Sequence, residues 1–113
     1  MSTLFIDTDM TGELPVVKVK GRVDSETAPE LDEALGRLLE SGSNRLVLNL
    51  QDVEYLSSAG LRAIVKAYQT AQKSGGDVRL AAVSEPIEVI LRTVGMMQML
   101  KMYPSDQEAV ASF

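Results

Sequence analysis

Ser57 and Ser58 stand side by side where an apolar run, Arg45-Leu46-Val47-Leu48-Asn49-Leu50, has given way to a segment of helical periodicity that opens near Ala59-Gly60-Leu61. A helix start leaves backbone N–H groups without partners inside the helix, and it carries the positive end of the helix dipole. A serine at such a place can cap the helix by accepting an N–H bond. Once phosphorylated, it can instead hold a dianion where the local field favours negative charge. On the residues alone both readings of the stretch Asp52-Val53-Glu54-Tyr55-Leu56-Ser57-Ser58-Ala59-Gly60-Leu61 stay open.

Other chemistry is scarce. The chain has no Cys and no His, which removes thiolate chemistry, disulfides, zinc sites of the Cys and His type and imidazole acid–base catalysis together. Ser58 is not set in Gly-x-Ser-x-Gly, and a lysine base would need burial that Lys66, on the polar stripe of its helix, does not offer. Gly75-Gly76 closes a helix and lacks the following Lys-Ser or Lys-Thr of a phosphate loop. Asp7 and Asp9 could approach a divalent cation, but an acidic pair on an edge strand is ordinarily just solvated. No catalytic residue, metal site or cofactor is expected.

A length of 113 residues allows one domain, residues 1–113, with a real core and no room for a second. The hydrophobic fraction of 45% and charged fraction of 24% exclude wholesale disorder and a fibrous repeat. A net charge of −5 without a run of Lys or Arg gives no electrostatic footprint for nucleic acid or anionic lipid, so a protein partner is the better expectation. The opening Met1-Ser2-Thr3-Leu4-Phe5-Ile6-Asp7 reaches a carboxylate after three apolar residues, which reads neither as a signal peptide nor as a membrane span. A cytoplasmic protein is expected.

The elements that must position the two serines are legible in part. Leu4 to Asp9 reads as a strand turning at Thr11-Gly12-Glu13. Val17-Lys18-Val19-Lys20-Gly21-Arg22-Val23-Asp24 alternates like a second strand with one wet face. Thr27-Ala28-Pro29-Glu30 has capping-box spacing and predicts a helix through Leu31, Leu35 and Leu38 that ends at Ser41-Gly42. Arg45 to Leu50 reads as a central strand, with the organising stretch following as a loop. Leu61, Ile64, Val65, Tyr68 and Ala71 form the apolar stripe of the next helix, which stops at Ser74-Gly75-Gly76. A strand over Val78, Leu80 and Ala82, a helix opened by Ser84-Glu85-Pro86 and closed by Gly95, a short strand within Leu100 to Tyr103 and a capped terminal helix from Ser105 complete the pattern. Met96, Met97, Met99 and Met102 read as core filling in a chain with 4% aromatic residues, or else as an adaptable contact surface. The sum is an α/β domain with a mixed, mostly parallel sheet of four to five strands and four helices. Loops after parallel strands share a rim, so Asp24 and Ser58 can meet there.

Three segments, Gly21-Arg22-Val23-Asp24, Leu48 to Leu61 and Thr93-Val94-Gly95, together resemble the STAS domain, the fold of bacterial anti-sigma factor antagonists, over nearly the whole chain. The resemblance implies a non-enzymatic switch that binds an anti-sigma factor or serine kinase of histidine-kinase-like ATPase fold. Phosphorylation at the start of the second helix would release that partner, and a serine phosphatase would reset the switch. Carried over position by position, the acceptor falls on Ser58, the family's glycine on Gly60 and its acidic neighbour on Asp24. Many members place Asp before the acceptor; here Ser57 stands there and is the alternative acceptor. Ser25, Ser57, Ala59 and Arg62 complete the implied partner-binding rim. A monomer or weak homodimer, without nucleic acid or membrane, fits this picture. A STAS scaffold or ligand-sensing module working without covalent modification is the other function the resemblance allows.

Overall fold

The computed structural model describes residues 3–11, 14–96 and 98–113. Gly12 and Glu13 of the expected turn, and Met97 of the methionine group, lie outside the described residues. The elements run β1 (Leu4–Thr11), β2 (Leu14–Val23), α1 (Ala28–Glu40), β3 (Arg45–Leu56), α2 (Ser58–Lys73), β4 (Asp77–Ala81), α3 (Glu85–Thr93), β5 (Met102–Tyr103) and α4 (Asp106–Ala111). The strands lie side by side in chain order. β1 is antiparallel to β2, and every later pairing is parallel. This is the mixed, mostly parallel sheet with four helices that the sequence predicts.

Two cores sit on the two faces of the sheet. On one face Val17, Val19, Leu46, Leu48 and Leu80 are buried beneath Leu31 and Leu35 of α1, Ile64 of α2 and Ile87 and Leu91 of α3. On the other, Val16, Val47 and Ala81 form a smaller core with Ala109 of α4. A helix crossing over a parallel pair must land on one face or the other, and both faces of β3 are covered where Leu46, Val47 and Leu48 run. Arg79 fixes α4 in place: its guanidinium donates to Asp77 at 3.0 Å and to the Ser112 hydroxyl at 2.7 Å, and stacks 4.1 Å from the Phe113 ring centroid. Met96 and Met102 pack against the main core, whereas Met99 is exposed.

Three sequence expectations are corrected. β3 does not end at Leu50 but continues to Leu56, so most of the predicted loop is strand. Its pairing with β2 steps from Lys18↔Asn49 to Lys20↔Asp52 and from Gly21↔Val53 to Arg22↔Tyr55, so β3 carries one extra residue at each step. Such bulges break the period-two alternation by which a strand is recognised. Val53 and Leu56 are the buried positions there, three residues apart. Ala82, expected in β4, lies past its end at φ +53°, donating its N–H to the Tyr103 carbonyl at 2.9 Å. The capping box expected at Thr27 does not form, since the Thr27 side chain makes no cap bond to α1.

Candidate functional site

Because β2 and β3 are parallel neighbours, with Val23 beside Leu56, their carboxyl ends deliver Asp24 and Ser57 to one rim. The two chain segments are joined there by a backbone bond, Ser57 N–H to the Val23 carbonyl at 2.8 Å. α2 starts at once: the Ser57 carbonyl accepts from Leu61 N–H at 3.0 Å. Ser57 itself is the N-cap in extended conformation, its Oγ accepting from Gly60 N–H at 3.2 Å. Ser58 is the first helical residue. It is exposed, and its hydroxyl has no hydrogen-bond partner among the described residues. The two serines are therefore separated by position: one hydroxyl holds the helix, the other faces water.

Gly60 explains how the helix comes so close to the strands. A Cβ built on Gly60 would stand 2.6 Å from Val23 Cγ1 and 2.7 Å from Leu56 Cδ1, so close that one of these side chains would have to shift. The residue is buried against the two strand ends, and only hydrogen fits there without that shift. The first turn of α2 contains no carboxylate, whereas α3 begins with Glu85 and Glu88 and α4 with Asp106 and Glu108. The positive end of the α2 dipole is thus left without the acidic side chains that offset it in those two helices.

The β2–α1 loop is held by one carboxylate and one hydroxyl. Asp24 Oδ1 accepts from the backbone N–H groups of Thr27 and Glu26, both at 3.0 Å. The Thr27 hydroxyl donates to the Arg22 carbonyl at 2.8 Å and accepts from Asp24 N–H at 2.9 Å. Asp24 is lowered from its ordinary carboxyl value of 3.8. The Thr27 N–H is the main cause, opposed by partial desolvation and aided by the Glu26 N–H, the Thr27 hydroxyl and the Arg22 charge. Arg22 in turn lies over the ring of Tyr55, 4.7 Å from its centroid. Thr27 is a site residue that the sequence reading misplaced. The Asp24-x-x-Thr27 spacing, typical of a carboxylate folding back on its own backbone, is the signal that could have found it.

Between α1 and α2, next to this rim, runs a groove of about 280 Å³. Ala28, Ala59 and Ala63 contribute its small apolar side chains, and Ser25, Arg62 and Lys66 its exposed polar ones. Asp24, Ser25, Ser57, Ser58, Ala59, Gly60 and Arg62, all inferred from sequence, are therefore gathered at one end of the domain by two strand ends and the start of α2. Away from that end, Asp9 is paired with Lys18 at 3.4 Å. Among the described residues no cluster of acidic side chains is arranged to hold a metal ion, and no helix is long and apolar enough to cross a membrane.

The site is thus built on a parallel βαβ arrangement with a one-residue strand-to-helix junction and an exposed hydroxyl at the helix start. The STAS domain family model matches residues 5–109, and the chain belongs to that family. It is 28% identical over 97 residues to an anti-sigma-B factor antagonist of Staphylococcus aureus, covering 86% of this chain and 90% of that protein. Among solved structures it is similar to an anti-sigma factor antagonist from Mycobacterium paratuberculosis, with a TM-score of 0.87 and 26% identity over 96% of this chain and 92% of the other. The fold is also that of SpoIIAA. The unphosphorylated form of that anti-sigma factor antagonist matches with a TM-score of 0.82 at 14% identity, covering 96% of this chain and 95% of the other. The phosphorylated form of the Bacillus SpoIIAA matches at 0.75, also at 14% identity, covering 96% and 98%.

Proposed function

We propose that this chain is an anti-sigma factor antagonist acting by partner switching: the unmodified protein binds an anti-sigma factor, and phosphorylation of Ser58 releases it. The observation that carries this reading is the division of labour between the serines. Ser57 is engaged as the cap, and Ser58 stands exposed without a hydrogen-bond partner, at the start of a helix whose first turn lacks a carboxylate. The S. aureus relative supports the antagonist role by its name, and SpoIIAA supports the modification as a protein with an unphosphorylated and a phosphorylated form.

The chemistry asked of the protein is small. In a serine kinase of histidine-kinase-like ATPase fold, the Ser58 Oγ would attack the γ-phosphorus of ATP. One P–O bond forms, the bond to the β,γ-bridging oxygen breaks, the hydroxyl proton leaves and ADP departs. The product carries about −1.5 to −2 extra charge and strong acceptor oxygens. The helix N–H groups and dipole tolerate that charge, so the domain keeps its fold while a partner fitted to a neutral hydroxyl loses complementarity. Asp24, on the adjoining strand end, adds like charge to the same rim. The chain itself performs no catalysis in this scheme; a phosphatase resets it, and it works as a single cytoplasmic domain, alone or as a weak homodimer.

Mass spectrometry after incubation with the host's serine kinases and ATP tests the assignment. Stoichiometric phosphate on Ser58, abolished by Ser58→Ala and retained in Ser57→Ala, is the expected result. Phosphate on neither serine with any kinase would contradict it and favour a scaffold that works unmodified.

A further inference from the structure

Ser58, Arg62 and Lys66 follow one another at intervals of four residues along α2, so their side chains share one row of the helix surface. Lys66 is already paired, its Nζ 3.3 Å from Asp32 of α1. Arg62 is exposed and has no carboxylate partner among the described residues, although it borders the α1–α2 groove. Asp24, in the loop at the same rim, is turned into its own backbone by the Thr27 and Glu26 N–H groups. One unpaired cation therefore stands one helical turn beyond the exposed serine, beside a shallow apolar groove.

We propose that Arg62 reads the state of Ser58: a phosphate on Ser58 takes up the Arg62 guanidinium and so removes the unpaired cation from the edge of the groove. This rests on Ser58 being the acceptor. The order suits the pairing, since an anion four residues before a cation is the favourable arrangement on a helix. A phosphate also matches the guanidinium fork with two parallel charge-assisted bonds. Modification then does two things at one edge of the groove: it adds negative charge and engages the positive charge that stood free there. Ser57 cannot do the same. Four residues after it stands Leu61, which is buried, and its Oγ is committed to Gly60 N–H.

The test places phosphoserine at position 58 during translation, so that no kinase is needed, and titrates the phosphate by phosphorus NMR. In the full chain the second ionisation is expected to fall below that of the Arg62→Gln variant by about half a pKa unit, the scale of one exposed charge pair. Arg62→Lys should recover part of the shift, and the Arg62 Nε–H resonance should move with the phosphate titration. Phosphoserine at position 57 should titrate identically with and without Arg62. Equal titration of the position-58 phosphate in the wild type and Arg62→Gln overturns the proposal, as does an equal Arg62 dependence at position 57. A Ser58 that no host kinase modifies would appear in the mass spectra and not in this titration, so the two failures are told apart.

Discussion

The β3–α2 junction passes from strand to helix through a single residue, Ser57, whereas the β2–α1 junction takes Asp24 to Thr27 for the same change of direction. Both end on one rim, but they are held differently. At β3–α2 the helix is pressed onto the strand ends with no room for a side chain at Gly60, and one hydroxyl caps it. At β2–α1 the expected cap bond from Thr27 is absent, and the loop is tied instead by Asp24 and the Thr27 hydroxyl. The first junction is fixed by shape and the second by hydrogen bonds. A close-packed junction can leave a neighbouring hydroxyl, that of Ser58, free for another purpose, whereas the self-bonded loop uses its polar groups internally.

Breaking the packed junction should cost most. Gly60→Ala forces a methyl against Val23 and Leu56, and overpacking of this kind destabilises by about 1 to 3 kcal/mol. Chemical denaturation should show a lower midpoint at unchanged slope. The next largest effect is expected at the bonded loop. Thr27 is 6% exposed, and Thr27→Val would strand the Arg22 carbonyl and the Asp24 N–H. Leaving two part-buried groups without these bonds costs about 1 to 2 kcal/mol.

The serines divide the comparison more finely. Ser57→Ala removes an N-cap worth about 1 kcal/mol. Ser58→Ala removes no bond and should leave stability within about 0.5 kcal/mol of the wild type. Equal losses for the two in the same denaturation assay would erase the distinction drawn between them. The effect expected at Asp24 is set apart by its dependence on pH. Its carboxyl is lowered in the folded state, so its contribution is present above the ordinary value of 3.8 and is lost as the pH falls through the lowered one. Asp24→Ala should therefore lose less stability than the wild type on acidification through that range, measured as melting temperature against pH.

Much of this arrangement was legible from residue types alone. Period-two alternation over Val17 to Val23 and the apolar stripe from Leu61 to Ala71 located β2 and α2, and strand parallelism then brought Asp24 and Ser58 to one rim. The far half of β3 was not legible, because two extra residues opposite β2 destroy the alternation and make Asp52 to Leu56 look like a loop. The role of Thr27 was hidden for a related reason. Thr-x-x-Glu spacing describes a local cap, and the chain uses the threonine instead on the Arg22 carbonyl behind it, a choice that depends on where β2 ends. The standing of the two serines could be separated by register but not by bonding, since only the junction's geometry shows which hydroxyl the helix consumes.

The most direct test of the account is calorimetric titration of the purified cognate anti-sigma factor with the unmodified chain and with the chain carrying phosphoserine at position 58. The account predicts measurable binding of the unmodified protein and a loss of at least about tenfold in affinity, about 1.4 kcal/mol, on phosphorylation, with both forms equally folded. Equal affinity of the two forms would contradict it.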